Sequence, residues 1–272
     1  MLLEGKNIFV TGLRNEQSLA FAVARAVQRH GGEIVLAVNH RVREQATHAA
    51  SQLARSAPIV TWDVTRPEQL PAVHQFLGEH WDHIDGALHA IAFAPRACLG
   101  AGMMQAGWDD VGLAINTSAY SLKTVTEAVL PLMGDNGGSI VALTRDTRMA
   151  WTGYNWMGVS KAALESTARY LARDLGPRRI RVNLLEPGFS ATAAATGIPG
   201  ITKDAKVVRA PLGWDPTDAT NVGDACVVLF SDLMRATTGD TIHVDGGAHF
   251  NVDPLTTSAV HAELQRRGQS VP

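Results

Sequence analysis

The chain lacks the features that mark several classes of protein. Its 272 residues include two cysteines, Cys98 and Cys226, too few for a disulfide framework or a cysteine zinc site. No apolar run reaches the roughly 18–20 residues of a membrane-spanning helix. Lysine and arginine total 24 against 26 aspartate and glutamate, so the basic surface of a nucleic-acid binder is missing. No signal peptide precedes the first apolar run. We therefore expect a cytoplasmic globular protein that binds neither nucleic acid nor membrane.

Metal-binding motifs are also missing, although the chain has ten histidines. The densest group is His80, His83 and His89, and it contains neither an H-E-x-x-H motif nor a cysteine–histidine pair. His89 lies in an apolar run typical of a buried strand, where we expect a structural histidine. We predict that the protein holds no metal ion.

What the chain does have is a regular alternation of strand-like and helix-like segments. Apolar runs predict strands at residues 7–11, 33–38, 58–62, 84–92, 139–144, 179–185 and 241–245. Apolar residues at helical spacing predict helices at residues 18–30, 67–80, 108–132, 155–175 and 217–234. Such an alternation builds a parallel sheet with helices on both faces. No linker or repeat divides the chain, so we predict a single α/β domain, a doubly wound parallel sheet (Rossmann fold).

The turn after the first predicted strand lacks the G-x-G-x-x-G motif of many dinucleotide-binding proteins. It contains Gly12, Ser18 and Ala20 instead. Gly12 suits a close approach of the backbone to a pyrophosphate, and the two small residues suit the junction of helix and strand. The phosphates would then bind the N–H groups at the helix N-terminus. The alternative is an ordinary strand–helix turn in which Ser18 caps the helix.

The ends of the second and third strands bear on the choice of cofactor. Asp63 and Val64 follow the third strand, where an aspartate either accepts a hydrogen bond from an adenine amino group or simply caps the strand end. The second strand ends without the carboxylate that often holds the ribose diol of NAD. In its place stand His40, Arg41 and Arg43, which either receive the 2′-phosphate of NADP or begin a solvated helix. We expect NADH or NADPH, with a slight preference for NADPH.

The segment after the fifth predicted strand contains the strongest catalytic signal. Tyr154 and Lys161 are seven residues apart, nearly two helical turns, so they project from one face of a helix. An ammonium near a phenol favours the phenolate, so we expect Lys161 to lower the pKa of Tyr154. Tyr154 would donate a proton or stabilise an oxyanion, and Lys161 would also bind a nicotinamide ribose. The alternative is a chance pair of exposed helix residues.

These residues resemble the pattern of short-chain dehydrogenases/reductases, and more narrowly that of bacterial NADH-dependent enoyl-acyl-carrier-protein reductases, above all the actinobacterial ones. Ordinary members of the superfamily carry Tyr-x3-Lys, whereas the enoyl reductases carry Tyr-x6-Lys, as here. The resemblance covers about residues 3–249. The similar segments are 12–20, 63–64, 89–95, 118–121, 211–214, 237–240 and 245–249.

The resemblance implies a reductase of trans-2-enoyl thioesters. Hydride passes to C3, Tyr154 stabilises the resulting enolate, and Lys161 holds the cofactor ribose. The implied substrate-binding residues are Met157 and Phe93. The implied cofactor-binding residues are Gly12, Ser18, Leu19, Asp63, Val64, Ile91, Ala92, Lys161 and Thr192, with His40 and Arg41 as candidates for a phosphate.

The resemblance also implies an organisation for the chain. A reductase domain spans residues 1–249, with a mobile substrate-binding loop at about 193–210, and residues 250–272 form a C-terminal extension. The partner is a small-molecule or carrier-protein-bound acyl thioester, and the assembly is a homotetramer.

Arg145 departs from the family pattern, which has an aromatic residue nine or ten positions before the catalytic tyrosine. Those positions are Arg145 and Thr144 here. Either Arg145 points to solvent and pairs with Asp146, which contributes little, or it faces the pocket as a substrate-binding residue and clamps a carboxylate or another polar group.

Two further segments depart from the pattern. Ala90-Ile91-Ala92 replaces Ser-Ile-Gly, and the added methyl group of Ala92 is expected to shift the nicotinamide. Pro187-Gly188 is the form found in carbonyl-reducing short-chain dehydrogenases, where enoyl reductases have Ala-Gly-Pro. Those carbonyl reductases use a serine after the fifth strand, and Thr144 is the nearest hydroxyl here.

The sequence therefore predicts an oxidoreductase that reduces the 2,3 double bond of a trans-2-enoyl thioester with NADH or NADPH. One alternative is a pathway-specific reductase of a polar carbonyl or activated alkene on the same scaffold. The other is a catalytically inactive protein that binds the cofactor, against which the intact Tyr154 and Lys161 argue.

Overall fold

The computed structural model describes residues 1–100, 102–134, 136–199 and 209–251. The strands in these ranges are β1 (Asn7–Thr11), β2 (Glu33–Val38), β3 (Ile59–Thr61), β4 (Gly86–His89), β5 (Gly138–Leu143), β6 (Ile180–Pro187) and β7 (Thr241–Val244). They form one sheet in the order β3-β2-β1-β4-β5-β6-β7, and every neighbouring pair is parallel. The predicted Rossmann-type sheet is confirmed.

Helices cover both faces of this sheet. They are α1 (Leu19–Arg29), α2 (Arg43–Ala50), α3 (Leu70–His80), α4 (Trp108–Ile115), α5 (Ser121–Met133), α6 (Asn155–Leu175), α7 (Ala193–Thr196) and α8 (Thr220–Phe230). Side chains of α1, α2 and α8 pack in one apolar core, and side chains of α3, α5 and α6 pack in the other. No helix in the described ranges is long and apolar enough to cross a membrane.

Alternate residues of the central strands supply the two cores. Ile8 and Val10 of β1 pack in the core that contains α1, whereas Phe9 between them packs in the core on the opposite face. Because both faces of the strand are buried, β1 is a continuous apolar run rather than an alternating one. The same holds for β2, and the predicted bounds of both strands agree with the observed ones.

Three segments differ from the sequence-based prediction. Residues 43–50 form α2, which the apolar pattern does not predict because its only buried side chains are three alanines. The predicted helix at 108–132 is two helices joined by the π-helical turn Asn116–Tyr120. The predicted strand at 84–92 begins at Gly86 and ends at His89, so the residues that follow lie at the edge of the sheet.

The strand order reverses between β1 and β4, and in doubly wound sheets the ligand crevice lies at the carboxyl ends of the strands at such a point. Gly12 follows β1 with a φ of +86° and packs against the loop after β4. A Cβ atom on Gly12 would lie 2.1 Å from the carbonyl oxygen of Ala90, so both the space and the backbone conformation require glycine.

The first testable prediction concerns the contact between α8 and α1, whose N-terminus lies at this crevice. A Cβ atom on Gly223 of α8 would lie 2.8 Å from the carbonyl oxygen of Ala22 in α1. We expect Gly223→Ala to lower the free energy of unfolding by about 1–3 kcal/mol, because the overpacked helices must separate. Urea unfolding measures the effect.

Gly78→Ala is the matched control. Gly78 is exposed in α3, and a Cβ atom there would meet no other atom within 4 Å. This substitution should stabilise the protein by up to about 1 kcal/mol through helix propensity alone. Equal effects of the two substitutions would contradict the packing argument.

Candidate active site

The loop after β5 carries Tyr154 to the carboxyl edge of the sheet. Tyr154 occupies the position just before α6, and Lys161 lies in the second turn of that helix. The next residue, Asn155, has a φ of +40°, which is uncommon for a residue other than glycine. Such backbone conformations cluster at functional sites, where the surrounding structure enforces them.

Lys161 is buried at the end of β5. Its ammonium group donates a hydrogen bond to the carbonyl oxygen of Leu143, 2.8 Å away. Burial lowers the pKa of Lys161 to about 8, although the charge of Glu165 acts to raise it. The hydrogen bond therefore ties α6 to β5 through a group that is close to losing its charge.

The charges that act on Tyr154 differ from the sequence-based expectation. Burial raises the pKa of the phenol above its ordinary value, Arg145 acts to lower it, and Glu186 raises it further. Lys161 lies about 10 Å farther along the helix axis, since each helical residue rises about 1.5 Å. The predicted lowering of the Tyr154 pKa is wrong, because burial raises it, and Arg145 is the cation that acts to lower it.

Arg145 is neither solvent-facing nor paired with Asp146. Its side chain is 12% exposed, and its guanidinium lies 3.4 Å from Oε1 of Glu186 and 4.2 Å from the centroid of the Trp151 ring. Asp146 instead accepts hydrogen bonds of 2.9 and 2.7 Å from Arg148. The expected pair with Asp146 is therefore wrong, and the carboxylate that Arg145 binds belongs to the chain itself.

Three side chains at this edge have the spacing of a metal site. Asp146, Glu186 and His243 each place one ligand atom within 4.8 Å of the others. However, Arg148 pairs with Asp146 and Arg145 pairs with Glu186. Two guanidinium groups on two carboxylates form an ion-pair network, and we assign no metal to the cluster.

His89 of β4 has a structural contact, as its sequence context predicts. It is fully buried, with Nε2 2.7 Å from Oγ of Ser121, while Nδ1 has no hydrogen-bond partner among the described residues. Burial lowers the pKa of His89 to about 3, and the charge of Lys161 acts in the same direction. The imidazole is therefore neutral at physiological pH.

The Ser18 side chain stabilises the turn before α1 and does not cap the helix. Ser18 occupies the position before the helix, but its side chain makes no capping hydrogen bond to it. The Ser18 hydroxyl instead accepts hydrogen bonds from the backbone N–H groups of Arg14 and Asn15, at 3.1 and 2.9 Å. Leu19 packs partly buried against the adjoining core. The serine thus fixes the loop and leaves the first N–H groups of the helix uncapped, as phosphate binding requires.

The predicted phosphate-binding residues lie in one turn after β2. His40 and Arg41 are exposed, and Oδ1 of Asn39 accepts a hydrogen bond of 3.1 Å from the backbone N–H of Arg41. Arg43 differs from them, because its guanidinium donates a hydrogen bond to Thr61 of β3. All three basic side chains are therefore exposed at this strand end, and the Arg43 guanidinium is already engaged with Thr61.

Asp63 has the strand-capping arrangement that the sequence offered as its alternative. Its Oδ1 accepts hydrogen bonds from the backbone N–H and the hydroxyl of Thr65, at 3.0 and 2.7 Å. Burial acts to raise the pKa of Asp63, but these hydrogen bonds outweigh it and the pKa lies below its ordinary value. Val64 is buried in the adjoining core.

The loop after β4 is fastened to the π-helical turn. The Ser118 hydroxyl accepts a hydrogen bond from the Phe93 N–H and donates one to its carbonyl oxygen, both at 2.9 Å. The Phe93 side chain is exposed, Ile91 packs against a core, and Ala92 is exposed. The backbone of this loop is thus fixed while its apolar side chains stay accessible.

An open cavity of about 590 Å³ adjoins the residue before Tyr154. Its lining residues are Arg96, Ala97, Leu99, Gly100, Thr152, Gly153 and Pro199. Gly100 donates a backbone hydrogen bond of 3.0 Å to Gly153, and both glycines pack against Pro199. The volume is within the usual range of small-molecule sites.

Part of the predicted substrate-binding loop forms one wall of this cavity. Thr192 begins α7, and its hydroxyl accepts a hydrogen bond of 3.2 Å from the Ala195 N–H. Pro199 follows and contacts the two glycines opposite.

Residues 200–208 of the predicted loop, and residues 252–272 of the predicted C-terminal extension, lie outside the described residues. Met157, predicted to border the acyl pocket, is buried one helical turn after Tyr154.

Comparisons with known proteins decide the family. A profile described as enoyl-(acyl carrier protein) reductase matches residues 12–249. The chain belongs to this family. It is 38% identical to the NADH-dependent enoyl-acyl-carrier-protein reductase of Mycolicibacterium smegmatis, over 91% of this chain and 97% of the relative. The NADH enzyme of Bacillus subtilis is 37% identical, over 91% of this chain and 97% of the relative. The NADPH enzyme of Staphylococcus aureus is 36% identical, over 91% of this chain and 98% of the relative.

Sequence reasoning missed two residues that shape this enoyl reductase site. Glu186 is the carboxylate that holds Arg145, and Trp151 is the ring on which Arg145 stacks. A lone carboxylate in the otherwise apolar end of β6 is a signal that was available in the sequence. The pairing of Glu186 with Arg145 could not be read from the sequence, because the two residues lie 41 positions apart.

The second prediction concerns the buried amine of Lys161. Its folded pKa, about 8, lies below its ordinary value of 10.5, so protonation costs stability as the pH falls from about 10.5 to 8. The stability of Lys161→Met relative to the parent should therefore be greatest near pH 7. It should fall by up to about 3 kcal/mol as the pH approaches 10. Urea unfolding of the cofactor-free protein measures this difference.

Lys123→Met provides the control. A hydrogen bond from Lys123 to Glu127 raises the pKa of this surface lysine, so its pH dependence has the opposite sign. A stability difference between Lys161→Met and the parent that stays constant from pH 7 to 10 would contradict the assignment of Lys161 as a desolvated amine.

Proposed function

We propose that this chain reduces the 2,3 double bond of trans-2-enoyl thioesters with hydride from NADH or NADPH. The observation that carries the proposal is the placement of Tyr154 and Lys161 on α6 at the carboxyl edge of the sheet, in a chain of the enoyl reductase family. The relatives compared above are named for this reaction.

Tyr154 stabilises the charge that the reaction creates. The bound nicotinamide supplies the hydride that adds to C3 of the substrate. Negative charge then develops on the thioester oxygen as an enolate, and the Tyr154 phenol donates a hydrogen bond to that oxygen. A proton adds to C2 to complete the saturated thioester. The raised pKa of Tyr154 suits this role, because a hydrogen-bond donor must be protonated at neutral pH.

Lys161 acts on the cofactor rather than on the substrate. One of its N–H groups is used by the carbonyl oxygen of Leu143, which fixes the position of the ammonium. An ammonium has three donors, so two remain for the hydroxyl groups of the nicotinamide ribose.

The residues at the switch point fit a dinucleotide. Gly12 lets the turn after β1 pack closely on the loop after β4, and the Ser18 side chain makes no capping hydrogen bond to α1. We assign the pyrophosphate to these two residues and Leu19, with Thr192 as a further hydrogen-bonding group. We assign Asp63 and Val64 to binding of the adenine. We assign Ile91 and Ala92 to contacts near the nicotinamide.

NADPH is accepted as well as NADH in this proposal. The turn after β2 exposes the basic side chains of His40 and Arg41, and residues 39–43 include no carboxylate. A 2′-phosphate is a dianion that such a pair attracts, whereas a ribose diol prefers a carboxylate.

The acyl chain of the substrate occupies the cavity beside Gly153. Most of its lining side chains are apolar. We assign Met157 and Phe93 to the acyl chain as well, as the resemblance implies. We assign residues 193–210 to substrate binding and residues 1–249 to the reductase domain, followed by the extension at 250–272. The protein works in the cytoplasm as a homotetramer on thioesters of a carrier protein or of a small molecule.

Reduction of a polar carbonyl is the second candidate. It draws on Pro187-Gly188 and on the hydroxyl of Thr144. In the structure that hydroxyl lies 3.4 Å from the carbonyl oxygen of Arg145 and 3.4 Å from Oε1 of Glu165. The hydroxyl has one proton to donate and two acceptors at this distance, so the first candidate is kept on the family and on Tyr154 and Lys161.

The third prediction is the loss of turnover in Tyr154→Phe. We expect kcat for a medium-chain trans-2-enoyl thioester to fall about 100-fold or more, because the enolate loses its hydrogen-bond donor. The dissociation constant of the cofactor should change little, since the phenol does not bind it. Oxidation of NADH and of NADPH, followed by absorbance, gives both the rate and the cofactor preference.

Tyr170→Phe, an exposed position on the same helix, is the control and should leave turnover unchanged. Near-normal kcat in Tyr154→Phe would remove Tyr154 from the mechanism. Turnover of polar ketones without turnover of enoyl thioesters would contradict the proposal and support the second candidate, reduction of a polar carbonyl.

A further inference from the structure

Arg145 and Glu186 form the most deeply buried ion pair among the described residues, with side chains 12% and 3% exposed. Removing two charges from water costs about as much as their attraction returns, so apolar side chains of similar volume would stabilise the fold at least equally. Nε of Arg145 and Oε2 of Glu186 also make no hydrogen bond with the described residues. Stability therefore does not account for this pair.

The pair is connected to Tyr154 by an unbroken series of contacts. Glu186, at the end of β6, lies against the guanidinium of Arg145, which stacks on the ring of Trp151. The Trp151 indole N–H donates a hydrogen bond of 2.6 Å to the Asp146 carbonyl oxygen, and its own carbonyl oxygen accepts one of 3.1 Å from the Tyr154 N–H. The loop that carries the phenol is thus braced from the next strand of the sheet.

We propose that Arg145 and Glu186 are positioning residues for Tyr154, which fix its loop through Trp151. The catalytic consequence rests on the proposed function, in which Tyr154 stabilises the enolate. The placement itself does not, since it follows from the contacts of the folded chain.

The two charges act on the phenol in opposite directions. Arg145 favours the phenolate and Glu186 opposes it. The charged groups packed around Glu186 come from the loops after β5 and β7 and from β7 itself. They are Asp146, Arg148, His243 and Asp245, and His249 contacts the last two. Burial raises the pKa of Glu186, and Asp245 and Asp146 raise it further.

This opposition gives a test that a structural role cannot imitate. The chain has three tyrosines, and the other two, Tyr120 and Tyr170, are more than half exposed. In the Tyr120→Phe, Tyr170→Phe background, Tyr154 is the one remaining tyrosine. Biosynthetic replacement by a fluorotyrosine, whose ring fluorines lower the pKa of the phenol, allows fluorine NMR to follow its titration in the full-length, cofactor-free protein.

The fourth prediction is that the two members of the pair shift this titration in opposite directions. Arg145→Met, which keeps an apolar stem on Trp151 and leaves no orphaned donor, should raise the midpoint by at least about half a pH unit. Glu186→Gln, nearly isosteric, should lower it by a similar amount. Arg145→Lys should restore most of the parent midpoint, because it restores the cation.

Shifts of the same sign, or no shift in either variant, would overturn the proposal, since a merely structural pair disturbs the loop in one direction. If Arg145→Met does not fold, Glu186→Gln still tests whether loss of the anion lowers the midpoint. Arg145→Lys then tests whether a different cation at this position keeps the midpoint near the parent value. The pH profile of kcat is measured on the same variants. A titration that shifts while this profile does not would leave the positioning role intact and contradict the catalytic role of Tyr154.

Discussion

The hydrogen bond from Lys161 to the carbonyl oxygen of Leu143 is the contact on which the site depends. It joins α6 to the last residue of β5, in the buried interior, where an ammonium group without a partner would be costly. The contact therefore fixes the rotation of α6 about its axis. Met157, Leu164 and Ala168 then face the core, while Tyr170 faces solvent. Tyr154, at the N-terminal end of the helix, comes to the carboxyl edge of the sheet as a consequence.

The site combines a fixed polar edge with an apolar cavity. Arg145 and Glu186 bring one charge of each sign, so the polar groups add no net charge beside the phenol. The family pattern that the sequence resembles has an aromatic residue at the position of Arg145 or of Thr144. In this chain the aromatic ring that covers the region is Trp151, six residues later, and Arg145 stacks on it. The substitution thus keeps an aromatic surface and adds an ion pair behind it.

The parts of the fold that depend on local periodicity could be predicted from the sequence. The bounds of β1 and β2 and of α6 follow from apolar residues at strand and helix spacing. Helix α2 could not be predicted in the same way, because its buried face consists of alanines. The π-helical turn Asn116–Tyr120 escaped prediction because its sequence continues the pattern of the helices on either side.

The site was predictable only in its local part. Tyr154 and Lys161 are visible as a spaced pair, but the spacing does not show that an axial separation of about 10 Å weakens their interaction. The groups that act on Tyr154 are Arg145 and Glu186, whose pairing depends on how β5 and β6 lie side by side. Electrostatics at the edge of a sheet is set by residues from several strands, and the order of those strands is not a local property of the sequence.

The most direct measurement traces the hydride. The protein is given a trans-2-enoyl thioester and a reduced nicotinamide cofactor that carries deuterium at its transferable position on C4. Mass spectrometry and proton NMR then locate the deuterium in the product. The account predicts a saturated thioester with deuterium at C3 and a solvent proton at C2. Recovery of the unchanged enoyl thioester under conditions in which the protein oxidises the cofactor with a ketone, leaving deuterium on the alcohol carbon, would contradict it.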